Sequence, residues 1–325
     1  MHVQALDPAE PAEAGESAQS GEKRRRAARG ALRTFFVWLV VLTGIPHAFA
    51  ITTGQQMPWL MLGMFAPGAA SIVTRLVRRE GFKDITWRLR PASVRRAIAV
   101  GAVYPAAIAV VTYVIGWSTH LVRLVESPAV LGIELPGPPA LQVTLAVLLV
   151  WLLGGLYGVL SSLGEELGWR GYMLTRLVQA EVPRPVLVTG LIWALWHMPI
   201  ILGGVYLNGT GGSTPVIALL FLLSILLQNE VICRLRLTSG SVWPAVAYHA
   251  VWNAVIQAAL DPATTGAHAW FLVGEQGVVL LAVNLTGVWL LTRSRSTGLS
   301  ARPRTDRFGG RGGIGGPDGT SGTPW

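Results

Sequence analysis

Two adjacent acids, Glu165 and Glu166, with Arg170 one helical turn beyond, close a long apolar stretch of this 325-residue chain. An ionised side chain near the centre of a membrane helix costs roughly 2.5–3.5 kcal/mol on insertion scales. Three such groups so close together therefore call for partners and a task. Acid-first i,i+4 spacing suits Glu166 and Arg170 to an ion pair on one helix face. That pairing leaves Glu165 as the uncompensated charge, about 100° further round the helix. Two other apolar segments each carry a histidine. Trp193 and His197 are one turn apart, as are His249 and Asn253, so each pair points one way. A glutamate in a low-dielectric pocket can take a proton from water, and a histidine can help position that water. A histidine and an asparagine can donate hydrogen bonds to a tetrahedral oxyanion. Glu165, His197 and His249 also make up a His₂Glu donor set of the kind that binds zinc and keeps a position for water. No His-Glu-x-x-His motif is present, so the metal-bound and metal-free alternatives both stand. Ser161 and Ser162 lie near Glu165 but lack a recognisable nucleophile setting, which makes serine catalysis the weaker reading.

Side chains so far apart in sequence need a scaffold to bring them together. The chain is 51% hydrophobic and only 13% charged, against about 25% charged in soluble domains. Apolar runs of membrane-spanning length recur, which gives an all-α class: a polytopic transmembrane helix bundle of about eight spans. Their expected limits are 35–52, 57–77, 97–117, 141–163, 186–206, 214–233, 239–259 and 270–292. The fourth is expected to continue as helix past Glu165 to about Ala180, before Pro183 and Pro185 stop it. His197 follows Pro185, and His249 follows Thr238, by enough residues to put each roughly 16–18 Å along its helix. In a hydrocarbon layer about 30 Å thick that is near the middle. Polar groups at that depth imply a water-filled pocket. Arginine and lysine crowd the 78–96 connection, the links after Arg176 and Arg234, and both tails, while 53–56 and 207–213 carry no charge. This alternation places both termini, and the mouth of the pocket, in the cytoplasm. It also reads the net charge of +9 as topology rather than nucleic-acid binding.

The chain divides into a basic, disordered N-terminal tail at 1–33, N-terminal transmembrane helices at 34–139, a candidate catalytic core at 140–260, a last transmembrane helix at 261–293, and a disordered Gly/Arg-rich tail at 294–325. Lys23, Arg24, Arg25, Arg26, Arg29 and Arg33 suit the head groups of anionic lipid. Ala48-Phe49-Ala50 has the form of a leader cleavage site, but the preceding stretch is long for a removable signal. His47 reads as a helix-packing hydrogen bonder, and Gln228-Asn229-Glu230 as an interfacial cluster with Glu230 paired to Arg234. Glu80, Asp84 and Glu181 read as solvated loop charges, Cys233 as a packed small residue, and Gly164 and Gly168 as a close helix contact. Trp193, Trp196 and Trp252, within a turn of the two site histidines, are candidates to wall the pocket.

Over residues 140–258 the chain resembles the CAAX protease and bacteriocin-processing (CPBP) intramembrane proteases, which include the type II CAAX prenyl endopeptidases. Glu165, Glu166 and Arg170 match its Glu-Glu-x-x-x-Arg motif, with Gly171 following. His197 matches Phe-x-x-x-His, with Trp193 in place of the usual phenylalanine, and His249 and Asn253 match His-x-x-x-Asn/Asp. The run from Thr238 to Ala245 is also similar. The resemblance implies an intramembrane endopeptidase with a cavity facing the cytoplasm. In it Glu165 is the water-activating base with His197 alongside, His249 and Asn253 stabilise the oxyanion, and Glu166, Arg170 and Trp193 support them. It allows either Zn²⁺ or a metal-free glutamate mechanism. The substrate would be a membrane-associated or prenylated-CAAX-like peptide or protein. The Ala/Arg/Gly-rich composition points to a GC-rich bacterial genome, and with the apolar helices to a bacterial plasma membrane. The rival readings are a non-catalytic relative that acts as an immunity or scaffold protein, and a small-solute or proton-coupled transporter, for which inverted repeats would be the sign.

Overall fold

In the computed structural model the described residues are 9–56, 58–85, 87–125, 129–130, 133–206 and 213–293; the tail expected over 294–325 lies outside them. The chain is a bundle of α-helices. These are α1 (Ala9–Thr53), α2 (Trp59–Arg78), α3 (Ala92–Ser118), α4 (Pro139–Gly168), α5 (Leu174–Gln179), α6 (Pro185–Leu202), α7 (Thr214–Ser239), α8 (Trp243–Trp252), α9 (Ala269–Leu272) and α10 (Val278–Arg293). Five helices among the described residues are long and apolar enough to cross a membrane.

Local sequence sets the helix ends. Pro139 and Pro185 open α4 and α6, where the missing N–H costs nothing and the fixed φ favours helix. Gly240, at φ 70°, closes α7 in the left-handed conformation that a side chain would resist. The chief packing pairs are α1 with α2, α2 with α4, α3 with α8, and α6 with α7. At the α2–α4 crossing a Cβ on Gly68 would lie 2.4 Å from the Gly164 carbonyl oxygen, and one on Gly168 would lie 2.4 Å from the Pro67 carbonyl carbon. The glycines at 164 and 168 are thus the close contact that their spacing predicts.

The outer surface is apolar, with Val40 70% and Leu195 65% exposed, as a lipid-facing surface requires, while acids, arginines, histidines and amides fill the interior. The basic loops gather at one end. There Arg25 pairs with Glu181, Arg176 with both Glu80 and Asp84, Arg75 with Asp84, and the Ser241 hydroxyl donates to the Arg88 carbonyl.

Three expectations need correction. The segment before residue 34 is helical from Ala9, and Ala28, Ala31 and Leu32 are buried. The amphipathic spacing of these small residues among the arginines lets α1 lie against α5. Glu80 and Asp84 are not solvated loop charges, because the turn after α2 folds them onto Arg75 and Arg176. The last helix is not one span over 270–292. Chain between α9 and α10 turns through Gly274, Glu275, Gln276 and Gly277, and Glu275 and Gln276 are buried.

Candidate active site

The three expected motifs meet in one cavity. It is lined by Glu165, Trp193, His197, His249 and Asn253, together with His47, Trp196, Tyr206, Gln228, Trp252, Gln257 and Glu275 among others. Two of the motifs sit where α-helix passes into π-helix. Residues Trp169–Met173, which include Arg170, form a π segment just after Glu165 and Glu166, and Asn253 begins a second one that runs to Leu260. Such i→i+5 turns are rare and concentrate at functional sites, because they rotate the following side chains relative to a regular helix.

The two acids take different partners. Glu166 Oε1 accepts from Arg170 Nη1 at 2.7 Å and from His249 Nδ1 at 2.9 Å, all within the core. Arg170 also donates from Nη2 to Asn229 Oδ1 at 3.0 Å, and its guanidinium lies 4.2 Å from the centre of the Trp193 ring. Asn229 is held in turn by its own donation to the Val186 carbonyl at 2.7 Å. Glu166 is therefore paired with Arg170 of the adjoining π segment and held by His249 of α8, while Asn229 of α7 fixes Arg170. Glu165 contacts no cation at that range. Its Oε2 accepts from two indoles, Trp193 Nε1 at 2.9 Å and Trp169 Nε1 at 3.1 Å, while its Oε1 lies 3.9 Å from His249 Nε2. One carboxylate oxygen is fixed by neutral donors and the other faces the cavity.

The imidazoles follow from their partners. A carboxylate and a carbonyl can only accept, so His249 carries its proton on Nδ1 toward Glu166. His197 does the same toward the Trp193 carbonyl, 2.9 Å away. Each ring then has its Nε2 left for other work. The His197 ring is packed edge-to-face against Trp196 and Phe221, with centroids 4.6 and 4.9 Å apart, which restricts its rotation. Trp193, Trp196 and Trp252 all line the cavity, as their spacing from the histidines predicts.

The His₂Glu set does not fit a tetrahedral zinc site. Bonds of about 2.0–2.1 Å would hold neighbouring donors about 3.3 Å apart, whereas Glu165 Oε1 and His249 Nε2 are 3.9 Å apart. The other Glu165 oxygen is already taken by the two indoles. Among the described residues no group of three or more His, Cys, Asp or Glu side chains is disposed to hold a metal ion.

Sequence reasoning missed several cavity residues. Gln228 and Asn229 are buried rather than interfacial: Gln228 lines the cavity and Asn229 anchors Arg170, while Glu230 pairs with Arg234 at 2.5 Å as expected. His47, read as a packing residue, is also a cavity wall, its ring centre 5.3 Å from that of Trp196. Tyr206, Gln257 and Glu275 gave no motif. The available signal was Glu275 itself, an acid between two glycines inside an otherwise apolar stretch.

Residues 142–255, about a third of the chain, match the family model Rce1-like, described as type II CAAX prenyl endopeptidase Rce1-like. The matched segment contains all of the motifs from Glu165 to Asn253. No curated protein matches the chain. The family match supports an intramembrane CAAX-type protease in general.

Proposed function

We propose that this chain is an intramembrane endopeptidase in which Glu165 activates a water molecule for attack on a peptide bond. The observation that carries the reading is the asymmetry of Glu165, whose one oxygen is held by two indole N–H groups while the other is turned to the cavity and to His249. A water within hydrogen-bond reach of Glu165 Oε1 would pass a proton to that oxygen as its own oxygen bonds to the scissile carbonyl carbon. The carbonyl electrons move onto the carbonyl oxygen. Asn253 and, when protonated, His249 donate to that oxyanion, and the Glu166 carboxylate on Nδ1 holds the ring in place. When the intermediate collapses, the C–N bond breaks and the proton held by Glu165 passes to the departing amine. His197 presents Nε2 to the same space and orients the water. No step requires a metal ion.

The basic end of the bundle is the cytoplasmic end in this reading. The long apolar helices cross the membrane with both termini inside, the cavity opens to the cytoplasm of a bacterial cell, and the basic face of α1 rests on anionic lipid. The substrate class is a membrane-associated or prenylated-CAAX-like peptide or protein. Comparing peptide termini by mass spectrometry in cells expressing the wild-type protein and Glu165→Gln tests the activity. New termini are expected with the wild type alone, and identical sets would end the peptidase reading in favour of a non-catalytic relative.

A further inference from the structure

The cavity has a second buried carboxylate, outside the segment that matches the family and unused by the chemistry above. Glu275 sits in the turn between α9 and α10, which only small residues can make. A Cβ on Gly277 would lie 2.6 Å from the Leu272 backbone, and one on Gly274 would lie 2.9 Å from the Trp270 carbonyl oxygen. The turn is pinned to α7 by the Ser224 hydroxyl, which donates to the Glu275 carbonyl at 3.0 Å. Glu275 is 5% exposed and lines the same cavity as Glu165. Its Oε1 accepts from Gln257 Nε2 at 2.8 Å and Trp252 Nε1 at 3.2 Å, and its Oε2 accepts from the Tyr206 hydroxyl at 2.8 Å.

All of these donors are neutral. They fix the carboxylate but do not cancel its charge, and among the described residues no Lys, Arg or His lies within ion-pair distance of it. A buried anion without a counter-ion is costly in a low dielectric. Gln257 follows Asn253 on the same π-helical segment, so the acid is held by the element that also carries Asn253. The rings of Tyr206, Phe221 and Trp252 share the cavity with it, a setting that suits a cation more than a second anion or a carbonyl.

We propose that Glu275, held by Gln257, Tyr206 and Trp252, is a subsite for a cationic side chain of the substrate, a lysine or arginine on one side of the scissile bond. The counter-ion that the fold lacks arrives with the substrate. The proposal rests on the peptidase reading for the bond that is cut, but not for the binding preference.

The test uses the full-length purified protein and internally quenched, alanine-based decapeptides. One position at a time carries lysine or norleucine, which share a similar stem and differ in charge. At one position lysine is expected to raise kcat/KM about tenfold or more over norleucine, mainly through KM. That ratio should fall to about one in Glu275→Gln, which keeps the side chain's size and most of its hydrogen bonds, and should rise in Gln257→Glu. Binding of the same labelled peptides, followed by fluorescence anisotropy in Glu165→Gln and in Glu165→Gln/Glu275→Gln, should show the same preference and its loss. Cleavage by the wild type with no lysine preference at any position overturns the subsite and leaves the peptidase reading intact. So does a preference that survives Glu275→Gln. Lysine-selective binding with no cleavage does the opposite. Since the wild type alone can return the negative result, the test does not depend on either variant folding.

Discussion

Two clusters of buried charge in this molecule look alike in composition and differ in what they leave over. At the basic end, Arg75, Arg176, Glu80 and Asp84 pair with one another: Arg176 bridges both acids, and Tyr172 also donates to Glu80. In the middle of the bundle, Glu166, Arg170, His249 and Asn229 form a similar chain of contacts, but it stops one residue short. Glu165 stays outside it, its hydrogen bonds coming only from indole N–H groups, and it lines a cavity together with His197 and His249. A network that closes on itself holds helices together. One that leaves a base open at the edge of a cavity can act on something else, and the closed part serves to fix the open part in place.

The largest separation of the two clusters should come from Glu165→Gln. The amide oxygen can still accept from both indoles, so thermal stability in detergent should change little, whereas peptide cleavage should fall about 10²–10⁴-fold as the base is lost. Glu166→Gln is the next largest and shows the opposite balance. It leaves Arg170 buried without its carboxylate, and a denaturation curve should show a loss of about 3–5 kcal/mol, with activity falling as His249 loses its orienting acceptor. Trp193→Phe removes one of the two Glu165 donors and installs the residue usual in the resembling family. A drop in kcat of about tenfold or less is expected, with the fold retained. A total loss of activity would mean that Trp193 does more than hold the carboxylate.

At the basic end the effects should be smaller and confined to stability. Burial works against the Glu80 charge, but hydrogen bonds from Arg176, Tyr172 and Arg78 outweigh it and hold the carboxyl below its ordinary value of 4.5. A lowered acid contributes stability above its unfolded value and loses it as pH falls through the folded one. The wild type should therefore lose melting temperature below about pH 4.5, and Glu80→Gln should lose less there. The partial exposure of the group limits the effect at neutral pH to about 1 kcal/mol, with cleavage unchanged. The smallest effect is expected from chelation: treatment with 1,10-phenanthroline should leave cleavage at its starting rate. Inactivation that zinc reverses would show that Glu165 and the histidines close onto a metal after all.

Much of this was legible along the chain. The cost of charge in an apolar run singles out Glu165, Glu166 and Arg170, and i,i+4 spacing pairs the latter two and aligns His249 with Asn253; those are local properties of a helix. Composition set the class, and proline and glycine set most helix ends. What a linear reading could not give is which atom faces which across helices. The 3.9 Å between Glu165 and His249, the Glu166 acceptor on His249, and the Asn229 anchor on Arg170 join residues from separate helices. Those contacts depend on how glycine contacts such as Gly68–Gly164 let the helices approach. Glu80 and Asp84 read as solvated because a turn's charges have no period to betray burial. Glu275 was visible as a letter but not as a place. It sits inside what looks like a span, and only the tertiary fold breaks that span and turns the acid toward Gln257 and Tyr206, because hydrophobic periodicity records which residues avoid water and is silent on where a chain bends to bring a charge inside.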